Sequence, residues 1–169
     1  MRRQSDREVA CAAGTVLRWA EGAEGAVAAD LVSALGRTGI PGLALEVAPL
    51  ARHADPGVRI AVAQALGELG DCSPATVAAL VLLSRDPVDE VRSWATFALA
   101  DERRTAAAGA CDALAARLDD PCAEVRVEAV RGLASRGNPR AIDAAFDLAP
   151  DWAQNPVFRQ AVRELRTAP

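Results

Sequence analysis

Apolar residues recur at helical spacing along three segments of the chain that align with one another. The segments are ADPGVRIAVAQALGELGD (54–71), RDPVDEVRSWATFALADE (85–102) and DDPCAEVRVEAVRGLASRGN (119–138). In each segment, small and aliphatic residues follow a Val-Arg pair at intervals of three and four positions, which is the spacing of one buried helix face. The arginines of these pairs, Arg59, Arg92 and Arg126, lie 33 and 34 residues apart. The pattern therefore predicts an amphipathic helix that is repeated along the chain.

The same register continues in both directions with less regular copies. The segment VAADLVSALGRTG (27–39) has Ala28 at the arginine position, and VFRQAVREL (157–165) has Phe158 there. Another apolar helical stretch precedes each copy, at roughly 6–20, 41–52, 74–84, 104–118 and 138–149. The sequence thus predicts about five helix pairs in a single domain of residues 1–169. The repeats are placed at approximately 6–39, 40–71, 72–102, 103–137 and 138–167.

Polar residues followed by proline mark the expected helix starts. They are Ser73-Pro74, Asn138-Pro139 and Asn155-Pro156, with Asp55-Pro56, Asp86-Pro87 and Asp120-Pro121 before second helices. A side-chain oxygen at such a position accepts from a free amide of the first turn, and proline gives up no needed hydrogen bond there. The glycines expected to end helices are Gly36, Gly39, Gly67, Gly70 and Gly137. Pro49 is expected to kink or shorten the helix at 41–52.

The second helix of one copy, DPGVRIAVAQALGELG (55–70), opens with D-P-x-V-R and runs through small residues to A-L-G-x-x-G. This pattern resembles HEAT repeats, particularly the short bacterial type of phycobilisome bilin lyases, and the match is closest over residues 50–138. The resemblance implies an all-α, right-handed solenoid in which the second helices line a concave face. The Trp and Tyr positions of tetratricopeptide repeats and the TPLHxA motif of ankyrin repeats do not occur in the chain.

Composition supports thin, closely packed helices. Ala, Leu and Val supply most of the 51% hydrophobic residues, whereas aromatic residues make up only 4%. The net charge is −4, and no segment is strongly basic, which disfavours nucleic acid as a partner. The chain lacks the apolar core of a signal peptide and any run of ~18 apolar residues that could span a membrane. These features predict a cytoplasmic protein with no membrane association.

Candidate catalytic chemistry is sparse in this sequence. The four cysteines form no CxxC pair, so reduced structural thiols are expected. The single histidine, His53, and Cys122 occupy equivalent loops two repeats apart, which places them roughly 20 Å from each other and too far apart for a nucleophile and its base. No glycine-rich phosphate loop or HExxH motif is present. We therefore expect no catalytic residues, no metal site and no cofactor.

The arginines of the Val-Arg pairs invite two interpretations. They could form a cationic ladder along the repeats, or each could brace the helix against the loop that precedes it. Each of these loops contains aspartate, which favours bracing. The family resemblance implies the same structural role.

The third repeat departs from the others at two positions. Counting from the arginine as zero, positions +3, +6 and +7 are apolar and form the predicted buried stripe, while +2, +5 and +9 point away from it. Trp94 and Phe97 hold +2 and +5, where the sister repeats carry polar or small residues. Either the two rings form an exposed anchor for a partner, or they fill space between neighbouring second helices.

The rows that point away from the stripe give the candidate partner-binding residues. They are Gln64, Trp94, Phe97, Asp101, Glu128, Arg131 and Arg163. These residues favour a non-enzymatic adaptor that holds a protein or peptide partner on the concave face. One alternative is a DNA-binding protein similar to the alkylpurine glycosylases, whose HEAT-like repeats cradle duplex DNA. A further alternative is a bilin-lyase-like accessory protein, which rests on the analogy of fold alone.

Overall fold

The structure, a computed structural model, describes residues 25–101 and 109–138 and eight isolated positions: Gly14, Thr15, Arg18, Arg140, Ala141, Ala144, Arg159 and Arg163. All regular structure in these residues is helical, which confirms the all-α prediction. The predicted helices at 6–20, 138–149 and 157–165, together with Asn155-Pro156, lie outside the residues described in full. The five-repeat count and the right-handed sense of the stack stay predictions.

Among the described residues, four second helices alternate with shorter first helices. The second helices are α1 (Gly25–Gly36), α3 (Pro56–Leu69), α5 (Asp89–Leu99) and α7 (Ala123–Ala134). The first helices are α2 (Ala44–Val47), α4 (Pro74–Leu83) and α6 (Ala110–Ala115), and 3-10 segments at Pro41–Leu43 and Ala48–Arg52 flank α2. α1, α3, α5 and α7 pack side by side in chain order, so the second helices form one continuous layer.

The predicted stripe forms the core of this layer. At +7, Leu66, Leu99 and Leu133 are fully buried, and the +3 and +6 residues of α3, α5 and α7 are buried beside them. The end helix α1 departs from this pattern, because Ala34 at +6 is exposed. The expectation that +2 points to solvent is wrong in α3, where Ala61 is only 3% exposed and the helix is packed between α1 and α5.

Several predicted helix ends are confirmed. Ser73 Oγ accepts a hydrogen bond from the Thr76 amide, and Asp55 Oδ1 accepts one from the Gly57 amide at 2.7 Å. Gly70, with φ of 65°, follows the last residue of α3 in the left-handed conformation that favours glycine. Pro49 coincides with the change from α2 to a 3-10 segment, as its missing amide predicts.

Three predicted ends are wrong. Gly67 lies inside α3, which continues to Leu69. α5 and α7 begin at Asp89 and Ala123, so Asp86 and Asp120 lie too far before these helices to cap them. The physical reason is loop length, because both aspartates lie six residues before the arginine of their repeat, whereas Asp55 lies four before its own.

The arginines brace their loops, as predicted, and they also join successive repeats. Arg59 Nη1 donates to the carbonyl oxygens of His53 and Ala54 in its own loop, at 2.9 and 2.8 Å. Its Nε and Nη2 donate to the two carboxylate oxygens of Asp86 in the next repeat, at 2.7 and 3.0 Å. One guanidinium therefore fixes a loop and an inter-repeat interface together.

The next repeat uses the same arrangement. Arg92 Nη1 donates to the carbonyls of Asp86 and Pro87, while its Nε and Nη2 each lie 3.0 Å from an oxygen of Asp120. Arg126 Nη1 again bonds its own loop through the carbonyls of Asp120 and Pro121. We call this series of arginine–aspartate contacts the inter-repeat ladder.

The ladder starts at the second repeat. An equivalent contact between the first and second repeats would need an arginine and an aspartate, and both positions hold other residues. The first repeat has the buried Ala28 at the arginine position, and the second has His53 at the aspartate position. His53 Nδ1 accepts from the Asp55 amide at 3.1 Å, which is the bond that Asp86 Oδ1 makes with the Val88 amide. His53 therefore keeps the shape of the loop without supplying a carboxylate to α1.

Acid is expected to weaken the ladder, because protonation of Asp86 and Asp120 removes the charges that bind Arg59 and Arg92. Burial alone would raise the pKa of Asp86 and Asp120, but hydrogen bonds from Arg59 and Arg92, together with backbone amides, outweigh it and hold both pKa values below the ordinary 3.8. The unfolded chain therefore binds more protons at low pH, so this stabilisation is fully present above about pH 4–5 and is lost as pH falls through the folded pKa values.

The measurement is the urea midpoint between about pH 6 and about pH 3. We expect the double variant Asp86→Asn/Asp120→Asn to show a flatter decline than the parent chain. Asp119→Asn, which changes an exposed neighbour, should keep the parental decline. Parallel declines in the parent and the double variant would contradict the assignment of the acid response to the ladder.

Candidate interaction site

Helix α5 holds Trp94 and Phe97 on the surface opposite its buried face. Val91, Ala95 and Leu99 are fully buried and fix the orientation of the helix. Trp94 is 37% exposed and Phe97 is 50% exposed. The two rings therefore lie at the surface and are not enclosed between neighbouring second helices.

The rings contact each other and a cation from the next helix. Their centroids lie 6.0 Å apart with an interplanar angle of 80°, an edge-to-face arrangement that places the positive edge of one ring against the negative face of the other. The guanidinium carbon of Arg131, on α7, lies 5.2 Å from the centroid of Phe97. The cation–π contact thus links α5 and α7 across the layer of second helices.

A carboxylate on α7 keeps the guanidinium in this place. Glu128 Oε2 accepts from Arg131 Nε at 2.7 Å, and the two residues lie three positions apart on one helix face. Because Glu128 and Phe97 restrain Arg131 from two sides, less side-chain freedom remains to be lost when a partner binds. We call Trp94, Phe97, Glu128 and Arg131 the aromatic patch.

The other three candidate residues are not part of the aromatic patch. Gln64 holds the +5 row of α3 and is half-buried. Asp101 follows α5 and is half-buried, and its carbonyl oxygen accepts from Arg136. Arg163 is an exposed helical residue of the last predicted repeat. The structure thus brings four of the seven predicted residues into one connected group.

Arg136 is a supporting residue that sequence reasoning missed. Its Nη2 donates to the carbonyl oxygens of Leu99 and Asp101, at 2.7 and 3.0 Å, and its Nη1 donates to that of Gly132. It therefore ties the carboxyl end of α5, one turn beyond Phe97, to α7. The sequence feature that could have identified Arg136 is its position just past the end of a predicted helix, where a cation can bond free carbonyls.

Among the described residues, no group of three or more His, Cys, Asp or Glu is placed to hold a metal ion. Cys111 and Cys122 are free thiols, and Cys122 Sγ donates to Glu124 Oε2 at 3.0 Å. That hydrogen bond is the main reason why the pKa of Glu124 is lowered.

None of the described helices is long and apolar enough to cross a membrane.

Stacked helix pairs with a shared layer of second helices define an α-solenoid. A family model described as HEAT repeats matches residues 15–100. The chain belongs to the HEAT-repeat family, which confirms the resemblance, while the bilin-lyase subtype stays a prediction. HEAT repeats are commonly protein-interaction modules. No curated protein matches the chain.

Proposed function

We propose that the chain is a non-enzymatic adaptor that binds a protein or peptide partner through the aromatic patch, on the concave face of the repeat stack. The observation that carries this proposal is the exposure of two adjacent large rings, Trp94 and Phe97. The +2 and +5 residues of the other described second helices are small or polar. Aromatic residues and arginine are the residue types most enriched among those that dominate binding energy.

The construction of the patch supports a binding role. Each ring can bury a large apolar area against a partner, and the edge-to-face contact and Arg131 hold the two rings in one arrangement. A preformed anchor loses little conformational entropy on association. The ladder and Arg136 add rigidity beneath it, because they fix both ends of α5 to neighbouring elements.

The proposal predicts that Trp94→Ala/Phe97→Ala weakens partner binding at least about tenfold while the helix content stays unchanged. Both side chains are exposed, so their loss leaves the buried stripe intact. The measurement is quantitative affinity purification with mass spectrometry, followed by a titration of the purified partner against each variant. Circular dichroism checks the fold.

Leu45→Ala is the matched control, because Leu45 is 56% exposed and lies on α2, in the layer of first helices. The partner should be retained by the parent chain and by the Leu45→Ala variant. Equal retention by the double aromatic variant would remove the aromatic patch as the binding site.

Neither alternative function gains support from the described residues. A DNA-binding groove would need free cations facing the phosphates, whereas Arg131 is already paired with Glu128. The bilin-lyase hypothesis still rests on fold analogy. We place the adaptor in the cytoplasm, as the sequence predicts, and the free thiols of Cys111 and Cys122 accord with a reducing compartment.

A further inference from the structure

The outward face of the second helices carries an excess of carboxylates around the aromatic patch. Residues two positions before the arginine and at +2, +5 and +9 after it fall within one narrow sector of the helix at 100° per residue. The acidic residues at these positions in α1, α3, α5 and α7 or just beyond their ends are Asp30, Glu68, Glu90, Asp101, Glu124 and Glu128. The basic residues there are Arg37 and Arg131.

Arg131 shows which ligand chemistry this surface accommodates. A guanidinium lies over the ring of Phe97 while a carboxylate, Glu128, binds it from the side. An aromatic ring flanked by a carboxylate is a favourable site for a cation, because the ring quadrupole and the negative charge act in the same direction. The molecule thus fills one such site with its own arginine.

A second combination of ring and carboxylate is exposed on α5. Glu90 lies four residues before Trp94, so the two side chains are neighbours on one helix face. Asp89 Oδ1 accepts from the Glu90 amide, so Asp89 already serves the amino end of the helix. Glu90 is exposed, as is Glu124 at the equivalent position of α7. The described contacts give Glu90 no cation of its own.

We infer that the aromatic patch and Glu90 bind an arginine- or lysine-containing segment of the partner, whose cation stacks on Trp94 beside the Glu90 carboxylate. The inference rests on the proposed function and specifies the charge of the partner. Phe97 forms the apolar side of the site, and Arg131 is held in place beside it. The surrounding carboxylates draw a basic segment toward the site. The interaction weakens as salt screens these exposed charges.

The test is a nitrogen-15 NMR titration of the whole chain with three capped alanine–glycine peptides that differ only in carrying arginines, glutamines or glutamates. The arginine peptide is expected to shift the Trp94 indole resonance, assigned with the Trp94→Phe variant, and the Glu90 amide. It should bind at least about fivefold more tightly than the glutamine peptide. Glu90→Arg is expected to reverse the preference in favour of the glutamate peptide.

Asp112→Arg supplies the matched control, because it makes the same charge change at an exposed acid on α6, in the other layer. This variant should keep the parental preference for arginine. Equal binding of the arginine and glutamine peptides at Trp94 would overturn the inference and leave the proposed function standing. Arginine-peptide shifts that avoid Trp94 would also overturn it. Failure of the proposed function is seen separately, as partner retention by the double aromatic variant.

Discussion

Replacing Asp120 with alanine is expected to lower the free energy of unfolding by about 3–5 kcal/mol. Asp120 is 4% exposed, and its carboxylate accepts from Arg92 Nε and Nη2, from Arg117 Nη1 and from the Cys122 amide. Truncation removes all of these bonds at once. It also leaves the buried guanidinium of Arg92 without the carboxylate that it binds, which costs more than the net value of the pair.

Urea denaturation followed by circular dichroism measures this loss. Asp119→Ala is a close control, because it removes the same charge from the adjacent, exposed residue. Its effect should stay within about 0.5 kcal/mol of zero. Similar losses in the two variants would show that net charge, and not the buried contacts of Asp120, governs the result.

The region of the chain that Asp120→Ala destabilises can be tested as well as the size of the destabilisation. Asp120 joins the third repeat to the fourth, and solenoid stability is close to a sum of repeat and nearest-neighbour terms. Hydrogen exchange in the Asp120→Ala variant should therefore speed up in α7 more than in α3. A uniform increase across both helices would indicate that the chain opens as one unit.

The second large effect is expected at Gly132, where alanine should destabilise the protein by about 2 kcal/mol. Gly132 lies at +6 of α7, in the buried stripe. An added methyl group would come within 2.7 Å of the Ala100 Cβ and 2.9 Å of both the Ala100 Cα and a methyl group of Leu114. Since the Ala100 Cα is backbone, α7 would have to move away from α5.

Gly67→Ala is the same substitution with the opposite expected sign. Gly67 also lies inside a second helix, but its added methyl group would meet the Ala98 Cβ at an ordinary 3.5 Å. Relief of the helical cost of glycine should then stabilise the chain by about 0.5–1 kcal/mol. The check is thermal and urea unfolding of both variants side by side, and destabilisation of similar size at the two sites would refute the close approach at Gly132.

The buried layer could be predicted from the sequence because periodicity depends on local geometry. Once Arg59, Arg92 and Arg126 are in register, the +3, +6 and +7 rows follow from 100° per residue alone. The capping roles of Asp55 and Ser73 are likewise local, since side chain and amide lie within three residues of each other.

The contacts between repeats could not be predicted in this way. Asp55 and Asp86 precede proline alike, and only a two-residue difference in loop length makes one a cap and the other a partner for the preceding arginine. The same limit applied to Arg131, since its row was predicted but its place over Phe97 depends on the distance between α5 and α7. Exposure of Trp94 likewise depends on how closely the neighbouring helices approach.

The ladder also determines which insertions and deletions of sequence keep the contacts between repeats. The third repeat presents an arginine to its successor and an aspartate to its predecessor, so the charged pairs at its two junctions are interchangeable. Loss of the whole third repeat would leave Arg59 facing Asp120, and a duplicated copy would find both partners ready. Insertions and deletions of one full unit are therefore expected to keep these pairs, whereas shorter ones would misalign them. The Ala28–His53 step marks the one described junction at which this exchange would leave a charge unmatched.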